Sequence, residues 1–257
     1  MGKNFLLDSH VLEDQIVLDG IEAINRIEQK DGTPILISGG MAVSSYLPEG
    51  TNRYTIDLDF NMLWGGNTVE FWSKVKPLIT RLQEKGYDVG RKKENSTLDI
   101  NYSLDGQRFM IQHQRRSQPS LGKNRHSIER EFANRRNIIK GNLEYSVLSP
   151  EDLIVRKLAR IFKFSNQSSL EFPQIRTIPE LKEHIEEEKE RLVSSLDRTE
   201  LDIIHLRMEH DLYDIKRLGN YMGVNQTYLV EAIKDWTING EKTYLETIKR
   251  ICLESED

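Results

Sequence analysis

Ser38-Gly39-Gly40-Met41-Ala42-Val43 follows the apolar run Ile35-Leu36-Ile37, and this order predicts a strand that turns into a helix through two glycines. Backbone without side chains lets a tetrahedral anion approach closely. The N–H groups at the start of a helix provide fixed hydrogen-bond donors for such an anion. This pattern therefore predicts that the turn formed by Ser38, Gly39 and Gly40 binds a phosphate group.

A second stretch, Arg53-Tyr54-Thr55-Ile56-Asp57-Leu58-Asp59-Phe60, follows the predicted helix. From Ile56 onward, apolar residues alternate with aspartates, which predicts a strand with both carboxylates on one face. Two neighbouring carboxylates repel each other unless a cation lies between them, and hard oxygen ligands suit Mg²⁺. Asp57 and Asp59 are thus predicted metal ligands. A phosphate-binding turn beside metal-binding carboxylates is typical of phosphoryl or nucleotidyl transfer.

The composition narrows the class of protein. The chain has 257 residues, of which 37% are hydrophobic and 30% charged, a balance typical of globular proteins that bury a core. Its apolar runs are too short to span a membrane, so no membrane partner is expected. The first residues lack the apolar segment of a signal peptide. The single cysteine, Cys252, excludes an internal disulfide and favours a reducing compartment, so we expect a cytoplasmic protein.

One segment reverses the charge of the chain, whose net charge is −5. Between Arg115 and Lys140, eight basic residues stand against two acidic ones. One interpretation is a surface for a polyanion such as RNA, and the other is a surface loop whose arginines pair with nearby acids. The candidate RNA-binding residues are Arg115, Arg116, Arg125, Arg135 and Arg136.

The periodicity of apolar residues changes near Ser149. Before it, short apolar strands are interspersed with helices. One helix is predicted over 69–85, and two strands near 97–104 and 107–113 are predicted to form a hairpin at Asp105-Gly106. After it, the segments 150–164, 179–196, 198–220, 225–236 and 240–253 all have helical spacing, and the polar segment from Ser165 to Thr177 is the candidate linker. These patterns predict an α+β fold, with a mixed sheet and helices followed by a helical region. We assign residues 1–148 to the first domain and 149–257 to the second.

Two charged residues of the helical region lie on or beside apolar stripes. Lys157 falls within the stripe of its helix, so its ammonium either reaches a functional site or extends along the stripe to water. Asp211 lies at the edge of another stripe, where a carboxylate can serve as a general base or form an i,i+4 ion pair with Arg207.

Three blocks of the sequence together resemble the AbiEii-type nucleotidyltransferases, the toxins of bacterial abortive-infection and type IV toxin–antitoxin systems. The wider superfamily has the DNA-polymerase-beta-like nucleotidyltransferase fold. The resemblance implies that residues 1–148 form the nucleotidyltransferase core and that the helical domain, 149–257, completes its active site. The resemblance covers about residues 33 to 220, and the blocks occur in the family's order. They are Gly39-Gly40 with Arg53 to Phe60, then Ser149 to Arg160, then Asp211 to Ile215.

The resemblance implies a function and roles for individual residues. The family moves a nucleoside monophosphate from an NTP to an acceptor hydroxyl with Mg²⁺, and a tRNA 3′ end is the acceptor we expect. A cognate antitoxin is then a further expected partner. The residues that would bind the nucleotide are Ser38, Gly39, Gly40, Arg53 and Lys157. Asp57 and Asp59 would hold Mg²⁺ and act in catalysis. The further catalytic residues would be Lys157 and Asp211.

The sequence departs from the superfamily at one position that matters. Many members carry a third carboxylate on a later strand, where this chain has Gln112 and Gln114, and Asp99 on the preceding strand is the alternative. Two other functions therefore stay open. One is an enzyme that modifies a small molecule or a protein. The other is a binding module with this fold and no catalytic activity.

Overall fold

A computed structural model describes residues 15–48, 55, 57–63, 68–93, 97–114, 128–236 and 240–253. The chain divides into two compact units. The described residues of the first lie within 15–114 and 128–149, and those of the second lie within 150–236 and 240–253.

The described part of the first unit is built on a mixed seven-stranded sheet with helices. Its elements are α1 (Gln15–Asp31), β1 (Ile35–Ile37), α2 (Gly39–Tyr46), β2 (Asp57–Met62), α3 (Thr68–Lys74), α4 (Lys76–Glu84), β3 (Asp88–Lys93), β4 (Thr97–Leu104), β5 (Gln107–Gln114), α5 (Ile128–Ala133), β6 (Arg136–Lys140) and β7 (Leu143–Val147). The strand order in the sheet is β3-β4-β5-β2-β1-β7-β6. Strand β2 lies between β1, to which it is antiparallel, and β5, to which it is parallel.

Helix α1 packs against α4, and the two helices bury apolar side chains such as Ile24 and Leu82. A buried polar contact fixes the same pair of elements. The carboxylate of Asp19 accepts hydrogen bonds from Lys85 at 2.6 Å and from the Tyr87 hydroxyl at 2.8 Å. The positions of β1 and β2 in the middle of the sheet therefore rest on a well-packed layer of helices.

Several predicted elements are confirmed and others differ. The hairpin between β4 and β5 turns at Asp105-Gly106, where both residues have positive φ as this pair favours. The predicted helix over 69–85 is two helices, because the chain breaks at Val75 and Pro77 lies in the first turn of α4. Strand β3 was not predicted, because its polar sequence lacks the alternation of a half-buried strand.

All the regular secondary structure in the described residues of the second unit is helical. The helices are α6 (Pro150–Ser168), α7 (Ile178–Ser194), α8 (Glu200–Met222), α9 (Gln226–Trp236) and α10 (Glu241–Leu253). Helix α8 begins with a capping box, in which Thr199 and Asp202 exchange hydrogen bonds. Helix α6 extends to Ser168, so the predicted linker from Ser165 is shorter than expected.

The predicted α+β class, a mixed sheet with helices followed by a helical region, is confirmed. The assignment of the two units as a catalytic core and a domain that completes its site stays a prediction. Within the described residues, no helix is both long enough and apolar enough to cross a membrane.

Candidate functional site

Ser38 connects β1 to α2 and fixes both to β2. Its backbone is extended, and its N–H donates a hydrogen bond to the Asp59 carbonyl at 2.8 Å. The Ser38 side chain does not cap the helix. Its Oγ instead accepts a hydrogen bond from Asn61 Nδ2 at 2.9 Å, and both side chains are buried. The predicted turn is thus tied at two points to the strand that carries the acidic pair.

Gly39 is the first residue of α2 and has φ +69°, a conformation that favours glycine. A Cβ placed on this residue would lie 2.1 Å from Oδ2 of Asp59. The Asp59 carboxylate therefore occupies the space that any larger residue would fill. The predicted closeness of the glycine turn to this acid is confirmed.

Asp57 and Asp59 share one face of β2 because Leu58 and Phe60, which alternate with them, are buried on the other face. Both aspartates are half-buried. The Asp57 carboxylate accepts a hydrogen bond from the Thr55 hydroxyl at 3.2 Å. On this face, Thr55 thus lies beside Asp57, and the Gly39 turn lies beside Asp59.

The acidic face continues across two more strands. Asp59 is in register with Gln112 on β5, and Gln112 is in register with Asp99 on β4. Gln112 Nε2 donates a hydrogen bond to Asp99 Oδ1 at 3.0 Å. Asp99 is only 1% exposed, and its Oδ2 has no hydrogen-bond partner.

The donor set of this face fits Mg²⁺, although the metal site is sparse. Mg²⁺ is commonly held by one or two carboxylates and keeps several water ligands, so Asp57 and Asp59 would suffice. No group of three histidine, cysteine, aspartate or glutamate side chains that could hold a metal ion is present among the described residues. Asp99 is therefore not brought together with the pair as a third carboxylate ligand.

The helical unit contains a buried charge cluster around Lys157. Lys157 Nζ lies 2.6 Å from Asp214 Oδ2 and 3.1 Å from Asp211 Oδ1. Arg160 makes hydrogen bonds to both oxygens of Asp211. Lys157 is 3% exposed and both aspartates are fully buried. The two cations and two anions form a neutral cluster inside this unit.

This cluster excludes one interpretation of Lys157 and leaves the alternatives for Asp211 open. The Lys157 ammonium does not extend to water, because it is held between Asp211 and Asp214. Asp211 is engaged by Lys157 and by Arg160, which lie on α6. The catalytic roles that the resemblance gives to Lys157 and Asp211 stay predictions.

The other predicted binding residues differ in what the structure describes. Arg53, Arg115, Arg116 and Arg125 lie outside the described residues. Arg135 lies 3.5 Å from Glu28, which fits the alternative of local ion pairs. The end of the basic segment is not a loop as expected, because α5 and β6 occupy it, and Arg136 begins β6 with an exposed side chain.

Asn61 was not predicted as a site residue, and the roles of Gln112 and Asp99 were left open. Asn61 lies two residues beyond Asp59, so the same alternation could have placed it on the acidic face. Gln112 and Asp99 lie on the two strands of one hairpin, whose turn at Asp105-Gly106 sets their pairing. The pairing of Gln112 with Asp59 joins β5 to β2, and no local pattern determines it.

Comparison with protein-family models gives no match, and comparison with curated proteins gives none. Among solved structures, the chain is similar to an antigenic nucleotidyltransferase-like protein from Paracoccidioides brasiliensis, with a TM-score of 0.46 and 11% sequence identity. The similarity covers 95% of this chain and 90% of that one.

Proposed function

We propose that the chain is a Mg²⁺-dependent nucleotidyltransferase that moves a nucleoside monophosphate from an NTP to an acceptor hydroxyl. The observation that carries the proposal is the contact between the Asp59 carboxylate and the Gly39 turn, on the face that Asp59 shares with Asp57. A site for a divalent cation beside a site for phosphate is what the transfer of a nucleotide requires.

The chemistry follows from this placement. Asp57 and Asp59 would hold the metal, and the bound Mg²⁺ supplies positive charge that stabilises the reacting phosphates. Gly39 and Gly40 leave the backbone at the start of α2 open to the nucleotide's phosphate oxygens. The acceptor oxygen bonds to the α-phosphorus, the bond to pyrophosphate breaks, and the acceptor proton passes to a base or to water.

Lys157 enters the proposal through the sequence resemblance, which assigns it to the nucleotide's phosphates. Its contacts with Asp211 and Asp214 fix the position of the ammonium. In this proposal Asp211 orients Lys157 and Arg160. A role for Asp211 as general base would require the carboxylate to release a cation first.

We further propose RNA as the acceptor, with a tRNA 3′ end favoured by the resemblance, in a toxin that a cognate antitoxin neutralises. The support from the chain itself is the basic segment from Arg115 to Lys140. In its described part, Arg136 is exposed at the edge strand of the sheet. Exposed arginines can make salt-sensitive contacts to an RNA backbone.

The direct test is incubation of the full chain with Mg²⁺, labelled NTPs and total tRNA. We expect label on RNA with wild type, no label after chelation of the metal, and no label with Asp57→Ala. Asp88→Ala is the matched control, because Asp88 is an exposed aspartate at the start of β3, outside the site. Label transfer that survives Asp57→Ala would refute the proposed site.

The same reaction tests the acceptor. Mass spectrometry on protein and small-molecule fractions would detect the addition of one nucleotide where RNA stays unlabelled. Such a result would keep the transferase and replace RNA by a protein or a small molecule. If RNA is bound, Arg136→Glu should weaken binding more at low salt than at high salt.

One observation favours a second candidate, a nucleotidyltransferase fold that binds without catalysis. The described residues hold no third carboxylate beside Asp57 and Asp59, and Gln112 lies in the neighbouring register position. This candidate predicts no change in melting temperature when nucleotide and Mg²⁺ are added together. A shift that is present in wild type and lost in Asp59→Ala would exclude it.

A further inference from the structure

The row Asp59, Gln112 and Asp99 crosses three neighbouring strands in register. Side chains in register on adjacent strands point to the same face of a sheet. Gln112 is therefore placed between a candidate metal ligand on one side and a buried carboxylate on the other. The middle residue of the row is a neutral amide between two acids.

The hydrogen bond within the row orients that amide. Gln112 Nε2 donates to Asp99 Oδ1 at 3.0 Å. A carboxylate at this position accepts only from the nitrogen, so the amide cannot reverse without losing the bond. With its nitrogen engaged by Asp99, the amide keeps its oxygen Oε1 as the atom that can bind a further partner.

Asp99 is buried and only partly hydrogen-bonded. Its side chain is 1% exposed, Oδ1 has a neutral donor, and among the described residues Oδ2 has no hydrogen-bond partner. Lys92 on β3 is in register with Asp99, on the side away from Gln112. A buried carboxylate is unfavourable unless cations or several donors compensate it. A divalent cation on the acidic face would add compensation from the side of Gln112. Because Oδ2 is shielded, Asp99 can act on such a cation through Gln112 and through its field, and not as a direct ligand.

We propose that Gln112 Oε1 is a third, neutral oxygen ligand of the metal held by Asp57 and Asp59, and that Asp99 is the positioning residue that orients it. The inference rests on the metal site of the proposed function. It changes the charge of that site, because two carboxylates and an amide carry one negative charge less than three carboxylates. Amide oxygens are suitable ligands for hard divalent cations.

The test is calorimetric titration of the full chain with Mg²⁺ and with Mn²⁺, without nucleotide. We expect Gln112→Met to weaken metal binding, Gln112→Glu to strengthen it, and Asp99→Asn to weaken it about tenfold, as for other residues that orient a metal ligand. Gln107→Met is the matched control, since Gln107 is an exposed glutamine at the start of the same strand. Circular dichroism and melting temperature check that each variant folds.

A double-mutant cycle separates positioning from simple charge. A carboxylate at position 112 has two equivalent oxygens and needs no orientation. Asp99→Asn should therefore lose its effect on metal affinity when it is combined with Q112E. An equal fold-loss in both backgrounds would show that Asp99 acts only by its charge and would overturn its positioning role.

The outcomes also separate this inference from the proposed function. If Asp57→Ala still binds metal as wild type does, the metal site itself is wrong. If Asp57→Ala abolishes binding while Gln112→Met and Gln112→Glu bind like wild type, the metal site stands and Gln112 is not a ligand. Either result is read from binding and does not depend on catalytic activity.

Discussion

Asp99 in the sheet unit and Asp211 in the helical unit are both buried aspartates with opposite surroundings. Asp211 accepts hydrogen bonds from Lys157 and Arg160, two cations of its own unit. Asp99 has one neutral donor, Gln112, and an oxygen without a hydrogen-bond partner. The helical unit thus provides Asp211 with two cationic partners, whereas Asp99 has a neutral donor and has Lys92 of β3 in register beside it. We therefore expect that Asp211 contributes to the stability of its unit and that Asp99 acts on the proposed metal ligand Gln112.

The largest expected effect is the loss of stability on Asp211→Asn. The substitution leaves Arg160 facing a neutral amide that also carries donors, and it leaves Lys157 with Asp214 as its carboxylate partner. Removal of one partner from a buried ion pair costs about 3–5 kcal/mol. Urea unfolding followed by circular dichroism should show this loss in the transition of the helical unit. A loss below about 1 kcal/mol would break the comparison, because Asp211 would then not be structural.

The next effect is expected for Gly39→Ala, which tests the sheet side of the comparison. The new Cβ would meet Asp59 Oδ2 and would also adopt φ +69°. Backbone strain of this kind costs about 1–3 kcal/mol. Displacement of Asp59 should in addition abolish metal binding, measured by calorimetry.

Gly32→Ala is the control for Gly39→Ala. Gly32 has the same φ of +69°, and a Cβ there would meet nothing within 4 Å. Its variant should show the backbone strain alone and bind metal normally. If both variants lose stability equally and both bind metal, the closeness of Gly39 to Asp59 is not required for metal binding.

A smaller effect of opposite sign is expected for Asp99→Asn in the metal-free protein. A buried neutral amide with an unmatched donor costs less than a buried carboxylate with an unmatched oxygen. The variant should therefore be as stable as wild type or more stable by about 1 kcal/mol, in contrast to Asp211→Asn. Thermal unfolding in a chelating buffer measures this, and a clear loss of stability would show that Asp99 is structural.

The smallest expected effect concerns pH and a third buried acid. Burial raises the pKa of Glu209, although Arg176, His184 and His205 nearby lower it. Because the folded-state pKa lies above the ordinary glutamate value of 4.5, the folded protein favours the protonated form. Stability is therefore full below that value and declines as the pH rises through the raised pKa.

Glu209→Gln should remove this decline. The variant should match wild type in acid and exceed it in stability at neutral pH. Urea unfolding of both proteins across the acid range measures the difference. A wild-type stability that increases through the same range relative to the variant would contradict the raised pKa.

Much of the site could be predicted because its determinants are local. The alternation around Leu58 and Phe60 determines that Asp57 and Asp59 share a face, since successive side chains of a strand point to opposite faces. The glycines after Ile37 indicated the turn for a similar reason, because few residues tolerate a positive φ. The helix over 69–85 was predicted as one element because its apolar period continues through the break at Val75.

The sequence by itself determined the fold class, the acidic pair and the turn beside it, because each follows from periods of two or 3.6 residues and from glycine. Only the tertiary structure decided which charges meet. Lys157 and Asp211 are 54 residues apart, and Asp59 meets Gln112 only through the pairing of β2 with β5. Compensation of a buried charge depends on distances between groups remote in the chain, and no local pattern encodes those distances.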